Sequence, residues 1–400
     1  MHVLNQKLSG WVLKVIIFSA VIFSAHASDL ANNRDLYLDE FEKYLSENIL
    51  PFVPGAAILV VADGRVLLLQ TYGVRETGLK DRITPDTIFR LASVSKGFAS
   101  TATGLLVQKR ALSWDTSIQS RLEDVLFKDT NYGKQITVRN LLSHTTGLIP
   151  HAYTNLVEEN IPYRTIKTRL REVDFICAPG TCYSYQNVAF SLTGDLIQAV
   201  TGVTYEDFVN KNLFLPLGMK TASFGLQSFK TSGNHAIPHV QRNKVWKPVS
   251  VKQSYYNVAP AAGVNASISD MEKWLMAQLG HRPDVLSVET LNDLHTRVIK
   301  TSASQAHYRR TEKLGDVSYG LGWRIFDFGE YKDFIHHSGW VQGTLSEVVF
   351  NRDLQIGMVF LTNSETNRAG DLVFKFIELF EQRYQMQHAD RTPEPDLVQK

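Results

Sequence analysis

Asp63-Gly64 sits between two apolar runs, residues 56–62 and 65–70, and this pattern predicts a β-hairpin. Asp-Gly tolerates the positive φ angles of a tight hairpin turn, so the turn and its flanking runs agree. A lone hairpin is marginal in water and needs strand partners. The next strand-like runs are far along the chain, at 319–326, 333–336, 344–350 and 356–362. Between them the sequence reads as helical at 93–109, 138–143, 187–200, 205–212 and 269–279, with Gly/Pro/Thr loops in between. Joining the hairpin to the distant strands predicts an α+β fold. One antiparallel sheet takes strands from both ends, flanked by terminal helices at 35–49 and 372–384, with a mainly helical region inserted. The sheet part falls at about 35–90 and 300–388 and the insert at about 91–299, within a domain of 28–390; residues 391–400 form a polar tail. Cutting the chain into two domains near residue 300 would leave the hairpin without partners.

The first 27 residues read as a secretory signal peptide: Lys7 and Lys14, an apolar stretch over 15–25, then Ala25-His26-Ala27 as a small-x-small cleavage site. The stretch is shorter than the ~20 residues a membrane span needs, and no later run is long enough. The expectation is export to a periplasm or the exterior, with no stable membrane span after cleavage. Loss of Lys7 and Lys14 would cancel the formal charge of +2, which comes from 42 Lys and Arg against 40 Asp and Glu. Such a balance gives no basis for nucleic-acid binding. Two cysteines among 400 residues exclude a zinc cluster of thiolates and a disulfide-built scaffold.

Leu91-Ala-Ser93-Val-Ser-Lys96 opens one of the helical stretches. Residues three apart share a helix face, so Ser93 and Lys96 can meet, while Ser95 points elsewhere. A serine hydroxyl needs a base to attack a carbonyl near neutral pH, and a desolvated lysine can supply it. A Ser-x-x-Lys match is expected by chance in a chain of this length, so it gains weight only from company. That company is Pro179-Gly-Thr-Cys-Tyr183-Ser-Tyr185-Gln-Asn187, a turn into a helix, and Phe334-Ile-His-His337-Ser338-Gly339-Trp340, ending a strand-like run.

The three segments, in this order, resemble the serine β-lactamase and penicillin-binding hydrolase superfamily, nearest its class C-like branch, which includes D-amino-acid peptidases and carboxylesterases. Leu141-Leu-Ser-His-Thr-Thr-Gly-Leu148, Ala261-Ala-Gly-Val-Asn-Ala-Ser267 and Tyr319-Gly-Leu-Gly-Trp323 add to the likeness, which spans roughly residues 35–385. It implies Ser93, Lys96 and Tyr185 as catalytic residues, with Asn187, His337, Ser338, Gly339 and Trp340 at the substrate. Asn187 would orient Lys96, and His337 and Ser338 would tune Tyr185 and meet the leaving or carboxylate side. The N–H groups of Ser93 and Trp340 would hold the oxyanion. Tyr153-Thr-Asn155, Tyr255-Tyr-Asn257 and Lys313-Leu-Gly315 are rival matches, set aside because they lack the turn–helix or strand context. Many β-lactamases carry Lys where this chain has His337, which turns the expectation toward D-peptides of the cell wall ahead of β-lactams.

Cys177 and Cys182 are expected to pair in an oxidising compartment and stiffen the turn before Tyr185; two unpaired buried thiols are the alternative. No His-Glu-x-x-His or Gly-x-Ser-x-Gly occurs, so neither a metal nor a cofactor is expected and the α/β-hydrolase elbow is excluded. His144 reads as a structural hydrogen bonder. The expected partner is a small-molecule or peptide substrate, with peptidoglycan as one source. A carboxylesterase on the same scaffold, or a non-catalytic binder of peptidoglycan or a partner protein, are the other readings.

Overall fold

The computed structural model describes residues 38–389, apart from 307, 309 and 310. The segment expected to be a signal peptide and the expected polar tail lie outside the described residues. Two compact units emerge, one made, among the described residues, of 38–49 and 374–389, the other of Leu50–Val373. In the first, a helix α1 (38–48) and the later part of a helix over Leu372–Ala389 meet through the rings of Phe41 and Phe376, edge to face with centroids 5.5 Å apart.

In the second unit, the hairpin forms as expected, from β1 (Gly55–Ala62) and β2 (Arg65–Gly73), with Asp63 and Gly64 both at positive φ. β3 (Phe89–Arg90) follows, then a 3-10 turn over Ala92–Val94 and helix α2 (Ser95–Gln108). The helix therefore starts two residues later than the sequence pattern implies. Ala92 in the turn has φ +46°, a sterically costly value for a residue with a Cβ. Next come α3 (Val138–Leu142) and α4 (Asn187–Thr201), and then strands β4 (Ser223–Phe224), β5 (His239–Arg242), β6 (Val245–Pro248) and β7 (Val264–Ala266). Helix α5 (Ile268–Gln278) precedes β8 (Ile299–Thr301), β9 (Leu314–Tyr319), β10 (Arg324–Phe328), β11 (Tyr331–Val341), β12 (Thr344–Asn351) and β13 (Ile356–Thr362).

The main sheet is antiparallel, in the order β2-β1-β13-β12-β11-β10-β9-β8. The hairpin thus pairs with the last strand, Ala56 opposite Thr362 and Ala62 opposite Ile356. β1 and β13 are buried along their whole length, which accounts for their unbroken apolar runs. Leu275 of α5 packs where Gly357 of β13 leaves room, its nearest carbons 3.0 Å from the position a Cβ would take. Two small sheets that the sequence pattern does not reveal are also present, β3-β7-β4 and β5-β6.

One strand expectation is corrected. Residues 319–326 are not a single strand: β9 ends at Tyr319 and β10 begins at Arg324. Gly322 turns the chain at φ +80°, and its N–H donates to Leu142 O at 2.8 Å. A Cβ there would lie 2.9 Å from Lys96 O, so only glycine lets this turn sit against α2. The turn consequently delivers Arg324 beside the Ser93–Lys96 segment.

Candidate active site

Ser93 is half-buried at the mouth of α2, and two side chains converge on its Oγ. Lys96 Nζ lies 3.3 Å away, and the Tyr185 hydroxyl donates to Oγ across 3.0 Å. Tyr185 is carried by the turn before α4 and Lys96 by α2, so two elements close on one hydroxyl. Ser95 points away, accepting from Val264 N at 3.0 Å.

Lys96 is fully buried. It donates to Asn187 Oδ1 at 2.8 Å and to Ala261 O at 3.0 Å, and its Nζ sits 4.6 Å from the centroid of the Tyr185 ring. Burial, with help from the Arg324 charge, holds its pKa well below the ordinary lysine value. A neutral amine has two N–H groups and one lone pair; Asn187 and Ala261 use the first two, so the lone pair is left for the Ser93 proton. Burial pushes the Tyr185 phenol the other way, above its usual value, so at neutral pH it is a proton donor.

His144 steadies this arrangement. Its Nδ1 accepts from Gln186 N at 3.2 Å, its carbonyl accepts from Ser184 N at 2.8 Å, and its ring lies 4.3 Å from that of Tyr185. Burial keeps the imidazole neutral. The two cysteines on the same turn, Cys177 and Cys182, are joined as a disulfide.

β11 forms the other wall. β10 begins at Arg324, opposite His336, so residues 337–341 lie beyond its pairing on that side. Gly339 abuts the nucleophile's backbone: a Cβ there would collide with Leu91 O and come within 3.0 Å of Ser93 N. Ser346 Oγ on β12 donates to Leu91 O at 2.7 Å and pins the two together. Trp340 is 60% exposed beside them. Ser338 is half-buried on the same edge.

His337 departs from expectation. It is buried, its Nδ1 lies 2.7 Å from the Ser338 carbonyl, and its Nε2 lies 3.1 Å from the Tyr319 hydroxyl. A carbonyl only accepts, so Nδ1 carries the proton and Nε2 accepts from Tyr319. Burial, then the charges of Arg324 and Lys96, hold its pKa well below the usual imidazole value. It is a neutral residue whose side-chain contact is with Tyr319, at the end of β9.

Sequence reasoning missed Arg324. The guanidinium is buried, 5.9 Å from the Tyr185 ring centroid and 5.8 Å from that of Tyr319, and Nη1 donates to Gln305 O at 3.2 Å. Its Nε is buried with no hydrogen-bond partner, and no carboxylate pairs with it among the described residues. The available signal was its place directly after the Tyr319–Trp323 phrase. The rival tyrosines make their hydrogen bonds elsewhere than at Ser93. The Tyr153 hydroxyl binds Arg169 O and Glu172, that of Tyr255 binds Glu158, and Lys313 directly precedes β9, two strands from β11. Among the described residues, no group of three or more His, Cys, Asp or Glu could hold a metal ion, and no helix is long and apolar enough to cross a membrane.

Comparison with known proteins agrees with this architecture. Protein flp of Staphylococcus aureus (strain MW2) is 26% identical over 329 residues, a match covering 80% of this chain and 62% of that protein. The unguisins hydrolase ungD' of Aspergillus campestris (strain IBT 28561) is 27% identical over 352 residues, covering 82% of this chain and 62% of its own length. The chain thus spans less than two thirds of these relatives. The octameric penicillin-binding protein homologue from Pyrococcus abyssi superposes with a TM-score of 0.74 at 23% identity, covering 88% of this chain and 77% of that one, and so shares the fold. The Beta-lactamase family description matches residues 50–380, and the chain belongs to that family.

Proposed function

We propose that this chain is an exported serine hydrolase that forms an acyl-enzyme at Ser93 on amide or ester carbonyls, with peptides containing D-amino acids, such as those of the cell wall, and β-lactams as its substrate class. The observation that carries the reading is the convergence of Lys96 Nζ and the Tyr185 hydroxyl on Ser93 Oγ, at 3.3 and 3.0 Å. The family is generally one of serine hydrolases, and one relative bears the name of a hydrolase.

In the proposed reaction Ser93 Oγ bonds to the carbonyl carbon while its proton passes to Lys96. The N–H groups of Ser93 and Trp340 stabilise the oxyanion. Collapse breaks the bond to the leaving atom, which takes a proton from Tyr185, and Tyr185 is restored from Lys96. Water then attacks the ester by the reverse proton path and frees Ser93. Lys96 and Tyr185 titrate as a coupled pair. Arg324 offers its buried guanidinium to a substrate carboxylate, which favours a free C-terminal peptide or a penicillin over a simple ester.

The test is intact mass spectrometry after incubation with a fluorescent penicillin, a D-Ala-D-Ala peptide and a p-nitrophenyl ester. An adduct on Ser93 that is lost in Ser93→Ala is the expected result. Labelling that persists in Ser93→Ala would overturn the assignment, and turnover of esters without penicillin labelling would shift it to a carboxylesterase.

A further inference from the structure

We propose that a cleft beside Trp340 receives the acyl half of the substrate and that Arg90 at its floor selects acyl groups bearing a carboxylate. The inference rests on the acyl-enzyme reading above and names the substrate chemistry of that site. The cleft has a volume of about 320 Å³ and is lined in part by Arg90, Lys252, Tyr255, Trp340 and Val341.

Its position follows from chain connectivity. Arg90 ends β3 and precedes Ser93 by three residues. Trp340 follows Gly339, the residue whose backbone meets Ser93 N. The cleft therefore begins where a chain attached to Ser93 Oγ would emerge. Its polarity follows from proton delivery. The leaving atom must reach Tyr185, whose ring lies near Arg324, and Arg324 faces His336, before Gly339 in β11. The cleft lies along the residues after Gly339. Leaving and acyl halves thus run in opposite directions from Ser93, and the acyl half enters the cleft.

Its charges are unevenly committed. The two carboxylates on the lining already have donors: Tyr255 to Glu158 Oε1 at 2.9 Å, and Gly343 N to Glu365 Oε1 at 2.6 Å. The cations do not have anions. Arg90 is only 6% exposed and lies over the Tyr256 ring, 5.1 Å from its centroid, with no carboxylate paired to it among the described residues. A guanidinium out of water and without a counter-ion is costly, and an entering carboxylate offsets that cost with a bidentate bond. Lys252 is exposed at the rim and forms no ion pair among the described residues, so it can steer an anion inward. The exposed indole of Trp340 offers an apolar wall to the methylenes between carbonyl and carboxylate.

The experiment uses two p-nitrophenyl alkylphosphonates of equal length, one ending in a carboxylate and one in its methyl ester. Ser93 Oγ bonds to phosphorus, p-nitrophenolate leaves and the serine proton passes to Lys96, so each reaction reads as a mass adduct and a yellow product. The readout is the ratio of the two rates within each protein, which cancels any general loss of activity. The unmodified chain should react ~10-fold faster with the carboxylate probe, as expected for one well-placed charged contact. Arg90→Gln should bring the ratio near one and Arg90→Lys should restore part of it. Lys252→Gln, a surface change that leaves the core alone, should lower the ratio severalfold and flatten its salt dependence. Equal rates in the unmodified chain, or a ratio unmoved by both Arg90→Gln and Lys252→Gln, would overturn the subsite. Adducts from the neutral probe alone would overturn it while leaving the acyl-enzyme reading intact. No adduct from either probe would remove that reading and the subsite with it.

Discussion

Lys96 donates to Asn187 Oδ1 across 2.8 Å, with Ala261 O as its second acceptor at 3.0 Å. Neither acceptor carries a charge, so no anion among the hydrogen-bond partners of the amine holds it as ammonium. Asn187→Asp keeps the shape and adds an anion, which raises the lysine pKa; an opposite charge at this range shifts it by roughly one to three units. The base must be neutral to act, so the ascending limb of the kcat/KM–pH profile on an activated ester should move to higher pH and activity at pH 7 should fall. Arg324→Gln removes a cation that now lowers the Lys96 pKa and should move the same limb in the same direction. A limb that stays in place in both variants would contradict the role given to Lys96.

The parts of this site that the sequence made legible are those built from local spacing. Ser93 and Lys96 are a helix turn apart, the turn before α4 presents Tyr185, and Gly339 marks a strand pressed against the nucleophile. Asp63-Gly64 and the distant apolar runs were enough to join β1 to β13. What stayed hidden depends on pairings with no local pattern. β3 is two residues long and pairs with β7 across more than 170 positions, too short to show alternation. Arg324 reads as an ordinary surface cation until Gly322 folds the chain against α2. His337 reads as a titrating group until Tyr319 and the sheet remove its water.

Gly339→Ala should disable the site more than it unfolds the chain. The added methyl meets Leu91 O and Ser93 N, and Ser346 holds Leu91 in place, so the strand must retreat from the nucleophile. Overpacking of this kind costs about 1–3 kcal/mol. A shift near 1 Å at the reacting centre costs about 100-fold in rate. Denaturant melts and kcat on the same ester check both figures, and a variant of native activity would show that β11 does not border the reaction.

The Cys177–Cys182 bond should matter modestly. The turn it closes is also held by Gly180 N to Thr145 O at 2.7 Å and Ser184 N to His144 O at 2.8 Å. Loop-closure entropy for so short a ring gives about 2 kcal/mol. Cys177→Ser with Cys182→Ser should lower stability by no more than that, with kcat changed severalfold at most. A larger loss of kcat would mean that the disulfide itself positions Tyr185.

Stability should fall in mild acid, and the cause is imidazole rather than carboxylate. His144, His295 and His337 are all held neutral by burial, with pKa values well below the ordinary value. Each meets partners suited to a neutral ring, as when His295 Nε2 lies 3.1 Å from Gln278 Oε1. Unfolded, each takes up a proton as pH drops through about 6.5. The unfolded state then binds more protons than the folded one, so unfolding free energy decreases as pH falls through the ordinary imidazole range, until the depressed folded values are reached. Three such groups amount to roughly 3 kcal/mol between pH 6.5 and 5.5, where ordinary carboxylates are still ionised. Denaturant titrations at those two pH values read the difference directly. His295 packs against Trp323 and Phe350, away from Ser93, so His295→Gln should remove about a third of the loss without touching the proposed chemistry. Equal stability at the two pH values would mean that these rings are charged, or exposed to water, in the folded chain.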